Sequence, residues 1–295
     1  MKFIEICFAK LIEIYCLVFI GKNMNLKSNI EESNLVFLDL ETTGLDAARG
    51  DAICEIGALK IRERNVVDKF QTLVNPKRAI PEEAFRIHKI SDADVKDAPI
   101  FEAVADKLVS FMKDSIVLAY NAEFDLGFVN HELKKANKGT LEVPAIDILC
   151  MARKTVKVPR YNLGAISSFF NIEYTGDMHR ALGDAQVASG VFFKLRDMLK
   201  DHRLNSLEDF VSLYGLQNEI FKTKEEPKVY LVRKAIDNKS FLRVRSFSYQ
   251  NTMDDEAIKP LALTRENDSF FLAYENRHGK NIRINLNRIL DVEIV

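Results

Sequence analysis

Leu35-Val36-Phe37-Leu38-Asp39-Leu40 is a short, nearly continuous apolar run with one acid inside it and a second, Glu41, two places later. A run of this length reads as a strand buried on both faces, in the middle of a helix-covered sheet. Side chains at i and i+2 of a strand share a face, so Asp39 and Glu41 stand side by side. They lie at its C-terminal end, where α/β sheets usually carry their sites. Paired carboxylates on a buried strand cost several kcal/mol in desolvation and repulsion unless a cation neutralises them. Thr42-Thr43-Gly44 follows with hydroxyls and a tight turn.

The pattern around this run is that of an α/β protein with a mixed sheet. Ile53 to Ile61 and Val66 to Val74 read as two further strands, separated by the polar Arg62-Glu63-Arg64-Asn65 turn. Phe101, Val104, Ala105, Leu108, Val109 and Met112 recur at helical spacing, and Ser115 to Ala119 returns to strand. Phe124 to Lys135, Ile146 to Lys154, Leu163 to Phe170 and Ala181 to Leu199 all read as helices. Three strands followed by alternating helices and strands predict a sandwich of helices on a sheet.

The character changes near residue 200. Asp201 to Gly215 reads as one more helix, and Lys222 to Lys228 as a charged linker containing Pro227. Six short strands are predicted beyond it: Val229 to Ile236, Leu242 to Tyr249, Ile258 to Leu263, Phe270 to Tyr274, Ile282 to Leu286 and Ile289 to Val295. The expected layout is therefore a main domain over 24–200, a helix and linker over 201–226, and a small all-β barrel over 227–295. A chain of 295 residues with 47% hydrophobic and 29% charged residues has the apolar material for two cores, which excludes a disordered or fibrous protein.

Residues 1–23 are apolar, but Lys2, Glu5, Lys10 and Glu13 interrupt them and the longest uncharged run is Ile14 to Ile20. That is far short of the roughly 18 apolar residues of a membrane span. A peripheral amphipathic helix and a stretch upstream of a start at Met24 are the two readings. The second is favoured, because Asn25 to Asn34 reads as an ordinary polar lead into the first strand. Cys7, Cys16, Cys54 and Cys150 form no C-x-x-C pair. This argues against a zinc cluster or disulfide framework and fits thiols in a reducing cytoplasm. The 42 Lys+Arg and 43 Asp+Glu nearly cancel, so a nucleic-acid partner has to be gripped by local patches or through metal ions.

A third acid, Asp125, falls in the first turns of the helix that follows Tyr120-Asn121, with Asn121 placed to cap it. Taken alone it reads as a helix-start charge favourable to the dipole. A fourth lies in His179-Arg180-Ala181-Leu182-Gly183-Asp184. Within one helix His179 and Asp184 point about 140° apart, so they share a site only if His179 stands on the preceding loop and folds back. Thr175-Gly176-Asp177 supplies such a loop. Together the four acids make a hard-oxygen pocket suited to two Mg²⁺ or Mn²⁺ ions.

The segments Phe37 to Gly44, Tyr120 to Phe128 and His179 to Asp184 resemble, in order and spacing, the three motifs of DEDDh (DnaQ-like) exonucleases. The resemblance runs from about Leu35 to Leu199 and takes in Ile87-His88-Lys89-Ile90 and Ile146-Asp147 to Arg153. It implies a ribonuclease-H-like fold and 3′→5′ exonuclease activity by two-metal hydrolysis. On that resemblance Asp39, Glu41, Asp125 and Asp184 hold the metals and His179 is the general base. Thr42 and Leu45 meet the 3′-terminal nucleotide, while Asn121 and Phe124 line the site. Proofreading subunits of bacterial replicative polymerases and RNA-trimming enzymes both belong to this branch. The two-domain layout favours DNA over a compact RNA trimmer, with an RNA 3′-end exonuclease as the alternative. The resemblance implies single-stranded DNA 3′ ends as substrate and a replicative polymerase and sliding clamp as candidate partners, with no membrane role.

Beyond 227, Lys259 to Leu263, Phe270 to Tyr274 and Arg283 to Ile289 resemble the core of a WYL domain, with the signature tripeptide changed to Phe270-Phe271-Leu272. This implies a small barrel that senses nucleic acid or nucleotides. Arg243, Arg245, Arg283 and Arg288 are its candidate contacts, beside Phe270, Tyr274 and Tyr249. Gln217-Asn218-Glu219-Ile220-Phe221 resembles the short peptide by which bacterial replication proteins bind the sliding clamp. An alternative to the enzyme is a nucleic-acid-binding regulator in which the barrel acts and the larger domain is a scaffold.

Overall fold

The structure is a computed structural model and describes residues 25, 27–173, 179–200, 204–216, 227–247, 253–266 and 269–295. Residues 1–23, the Thr175 to Asp177 loop, the Gln217 to Phe221 peptide and Tyr249 therefore lie outside the described residues. Two compact units divide between Phe221 and Lys222.

The first unit is built on the apolar run. Leu35–Thr42 is β1, with Leu35 to Leu38 fully buried, followed by β2 (Ile53–Arg62) and β3 (Asn65–Leu73). Short helices α1 (Glu82–His88) and α2 (Asp92–Val95) lead to α3 (Phe101–Met112), β4 (Ile116–Ala119) and α4 (Ala122–Lys135). Next come β5 (Ala145–Asp147), α5 (Ile148–Thr155), α6 (Leu163–Phe169), α7 (Ala181–Lys200) and α8 (Leu207–Tyr214). The sheet order is β3-β2-β1-β4-β5, antiparallel from β3 to β1 and parallel from β1 to β5.

Alternation along β1 sorts its side chains between two layers. Val36, Leu38 and Leu40 join Leu108 and Met112 of α3 and Val129 and Leu133 of α4 in one core. Phe37 faces the other layer, where its ring lies 5.6 Å from Phe192 of α7. Asp39 and Glu41 follow Phe37 in the alternation and so face α7. The mixed sheet and its helices match the expected fold class.

Two elements differ from the sequence reading at this level. The helix expected from Ile146 starts two residues later, because Ile146 and Asp147 belong to β5, and Asp147 caps α5 by accepting from the Cys150 N–H at 2.8 Å. A strand of three residues is too short to leave a period in the sequence. The helix expected from Asp201 is described from Leu207, where Ser206 and Asp209 form a capping box. It belongs to the first unit: the Leu207 N–H donates to the Ser28 carbonyl at 3.0 Å and Leu216 N–H to Ala145 at 3.0 Å.

The second unit begins with a correction. Val229 to Ile236, expected as a strand, lies in helix α9 (Pro227–Asp237). Its buried residues Val229, Val232 and Ala235 recur every three positions, a helical period that β-branched content concealed. Pro227 occupies the first helical position, where no N–H is needed. Five antiparallel strands follow: β6 (Leu242–Phe247), β7 (Met253–Glu266), β8 (Ser269–Glu275), β9 (Asn281–Asn285) and β10 (Ile289–Ile294), in the order β10-β6-β7-β8-β9. The long β7 pairs with β6 along its first part and with β8 along its second. A bulge between Pro260 and Ala262 lies just inside the part paired with β8, where proline offers no ladder donor. Among the described residues, no helix is long and apolar enough to cross a membrane.

Candidate active site

The carboxyl ends of β1, β4 and β5 meet the starts of α4 and α7, and the acids converge there. Asp39, Glu41 and Asp184 each offer a carboxylate oxygen, and these atoms all lie within 4.8 Å of one another. Glu41 and Asp184 are each only 9% exposed. Asp125, on the first turns of α4, is 3% exposed, and its Oδ1 accepts the Leu40 N–H at 3.1 Å. That bond ties the third acid to the backbone between the first two.

The electrostatics of the cluster are unfavourable as they stand. Burial, then the charges of Asp125, Glu41, Asp184 and Glu55, push the Asp39 carboxyl well above its ordinary range. Burial, then Asp184, Glu55 and Asp125, push Glu41 up to about 8, with Arg180 pulling weakly the other way. Burial also raises Asp125; hydrogen bonds from its own amide and that of Leu40 oppose this, while Asp147 adds to it. Buried carboxylates under mutual repulsion fit a divalent cation, whose charge removes the repulsion and whose preference is for oxygen ligands. The donor set therefore suits Mg²⁺ or Mn²⁺ better than a soft metal.

Around the acids, the turn after β1 is locked in place. Thr42 Oγ1 donates to the Gly44 carbonyl at 2.6 Å, and Thr43 and Ala52 exchange two hydrogen bonds across the turn. A Cβ on Gly44 would fall 2.2 Å from Asp51 Oδ2, so any side chain there would have to displace the Asp51 carboxylate. Leu45, just beyond, is 86% exposed, free to meet a ligand over the site. Asn121 precedes α4 in the left-handed region (φ 76°) and is exposed, but its side chain makes no capping bond. Phe124 is partly buried, with its ring 4.9 Å from that of Phe128. His179 is exposed, in a turn directly before α7 with φ 59°, so it stands outside the helix that carries Asp184.

Three neighbours escaped the sequence reading. Glu55 lies directly across from Glu41 in the β1–β2 register and is fully buried. Arg180 grips it with Nε at 2.9 Å and Nη2 at 2.7 Å. Burial pulls Glu55 upward, but hydrogen bonds from Arg180, Gln71 and the Ala181 amide outweigh it and hold this carboxyl below its ordinary value. Gly57, opposite Asp39, is where α7 touches β2: a Cβ there would lie 2.1 Å from the Leu182 nitrogen. An acid and a glycine inside the otherwise apolar Ile53 to Leu59 run were the available signal.

In the second unit, Arg243 and Arg245 share a face of β6 with acids on both sides. Arg243 bonds Asp255 at 2.9 Å, Arg245 bonds Asp291, and Glu293 pairs with Arg243 in register. This face alternates in charge and is not the cationic surface expected from the sequence. Arg283 lies over the Phe271 ring, 4.4 Å from its centroid, and bonds Glu266. Arg288 is half-buried in a 3-10 turn between β9 and β10.

Comparisons with known proteins agree with the first unit. The family described as Exonuclease (RNase_T) matches residues 36–192. DNA polymerase III subunit epsilon of Rickettsia felis is 40% identical over 166 residues, covering 54% of this chain and 72% of that protein. Among solved structures, the nuclease domain of 3′hExo, a DEDDh family member bound to rAMP, is 19% identical at a TM-score of 0.51, covering 59% of this chain and 95% of that one. E. coli Exonuclease I in complex with a dA16 oligonucleotide is 16% identical at a TM-score of 0.51, covering 82% and 55%. These two likenesses speak to the fold. The matched motifs and the clustered acids lead to one assignment: the chain belongs to the exonuclease family and is a 3′→5′ exonuclease.

Proposed function

We infer that the protein removes nucleotides from DNA 3′ ends in proofreading or repair, working in the cytoplasm beside a replicative polymerase. The observation that carries this is the Asp39–Glu41–Asp184 cluster at the carboxyl end of β1, with Asp125 bonded into it. DNA is favoured because the relative at 40% identity is a DNA polymerase III subunit. Free thiols at Cys54 and Cys150 fit a reducing compartment.

Asp39, Glu41, Asp125 and Asp184 would hold two divalent ions, Mg²⁺ or Mn²⁺. When bound, such ions lower the pKa of an attacking water and stabilise the leaving 3′-oxygen. His179 takes the proton from that water, as imidazole is the side chain that ordinarily exchanges protons near neutral pH. Its place before α7 gives it reach over the site that a position inside the helix would deny. Thr42 and the exposed Leu45 orient the terminal nucleotide, and Asn121 and Phe124 line the site. The second unit acts as a WYL-like module that holds nucleic acid, with Arg283 over Phe271 the better-placed grip and Arg288 near it in sequence. Clamp docking through Gln217 to Phe221 belongs to the same proposal.

Digestion of 5′-end-labelled DNA and RNA of one sequence, with matched and mismatched 3′ ends, tests it. The expected result is faster removal from DNA, and faster still from a mismatched end. Faster removal from RNA would reassign the substrate to RNA 3′ ends.

A further inference from the structure

We propose that Glu55 and Arg180 form a positioning pair that fixes the start of α7, and through it the places of Asp184 and His179. In this role the pair acts through the backbone it holds and not by contact with nucleic acid or metal. Glu55 is fully buried and accepts four hydrogen bonds: two from the Arg180 guanidinium, one from Gln71 Nε2 at 3.0 Å and one from the Ala181 N–H at 3.2 Å. The last two residues before the α7 backbone turns helical are His179 and Arg180, and the Asp184 N–H closes the first turn onto the Arg180 carbonyl at 3.0 Å. Arg180 is therefore held by its side chain on β2 and by its backbone to Asp184. Gly57, two places along the same strand, lets the helix start settle against β2, with no room for a Cβ.

The choice of partner matters as much as the contact. Glu41 and Glu55 face one another across β1 and β2, and the Arg180 guanidinium bonds Glu55. Two parallel N–H donors match a carboxylate edge, a geometry a lysine cannot reproduce. Neutralising Glu55 leaves the Glu41 carboxylate for the cluster with Asp39 and Asp184. Partners that hold ligating groups in place typically cost 10- to 100-fold in affinity or activity when changed.

The test compares Glu55→Gln, Arg180→Gln, Arg180→Lys and the Glu55→Gln/Arg180→Gln double variant in the full chain. Three readouts are needed: kcat and KM on a short single-stranded oligonucleotide, Mn²⁺ affinity by calorimetry, and the melting temperature. The expected result is a roughly 10- to 100-fold lower kcat in either glutamine variant, KM within about twofold, and Mn²⁺ binding weakened in parallel. The double variant should be no worse than the weaker single, since the two act as one unit. Arg180→Lys should recover part of the loss. A raised KM with unchanged kcat in Arg180→Gln, and none in Glu55→Gln, would make Arg180 a nucleic-acid contact and overturn the pair. A lowered melting temperature with wild-type kcat and Mn²⁺ affinity would reduce it to a structural bridge. If Glu55→Gln does not fold, Arg180→Lys decides, because it leaves Glu55 a cation; wild-type kcat there would overturn the proposal. The inference rests on the carboxylate set proposed above. A wild-type protein that binds no Mn²⁺ would sink that set, whereas wild-type Mn²⁺ affinity in every variant would sink the pair alone.

Discussion

The two units handle charge in opposite ways. In the first, Asp39, Glu41, Asp125 and Asp184 are crowded together in or near the core, and burial and repulsion raise the first three. In the second, Arg243, Arg245 and Arg283 are exposed and each meets an acid on an adjacent or nearby strand. Exposed pairs contribute little to stability and ask for nothing further. A buried like-charge cluster persists only where a ligand or a reaction makes use of it. The contrast fits chemistry carried by the first unit.

The largest expected effect comes from removing the acids. Asp39→Ala, Asp125→Ala or Asp184→Ala should each take cleavage of an end-labelled oligonucleotide below detection. The melting temperature in EDTA should hold or rise, since one source of repulsion has gone. A drop in melting temperature for all three would erase the contrast between the units. His179→Ala should lower the rate about 10²- to 10⁴-fold, with Mn²⁺ affinity kept. An unchanged pH–rate profile in that variant would remove His179 from the proton transfer.

Stability should carry the same signature. Folding lifts Glu41 from 4.5 to about 8, so the folded protein keeps a proton that the unfolded chain releases. Without metal, the stability contributed by that protonated form is complete below pH 4.5 and is lost as pH climbs through about 8. Melting curves in EDTA between pH 5 and 9 should show this fall, and Mg²⁺ should reverse it. Glu41→Gln should flatten the curve; the same slope in that variant would assign the effect elsewhere.

In the second unit the effects should be small. Arg283→Ala with Arg288→Ala should leave turnover on short oligonucleotides unchanged and weaken binding to long single strands, with a deficit that shrinks as salt rises. Binding unchanged at low salt would leave that unit without a nucleic-acid role. Smallest of all, Arg243→Ala should change neither turnover nor the melting temperature measurably.

Asp39 and Glu41 were legible as a pair because i and i+2 of one strand share a face, whereas Asp125 and Asp184 joined them only through the resemblance of three separated motifs. Glu55 and Arg180 were not legible, because they stand 125 residues apart and meet only through the β1–β2 register and the packing of α7 on β2. The β6 arginines were legible as a shared face, but the acids beside them come from β7 and β10, so their neutralisation depends on tertiary pairing. Helix α9 was misread for a simpler reason. Val229 and Val232 suit either element, and only burial every third residue settles which one forms.

The account stands or falls on metal dependence in the first unit. The direct measurement is digestion of 5′-end-labelled single-stranded DNA by metal-free full-length protein, before and after Mg²⁺ is added. The expected result is no cleavage in EDTA and, on adding Mg²⁺, a ladder that shortens from the 3′ end one nucleotide at a time. Full cleavage in EDTA, or products cut internally, would contradict it.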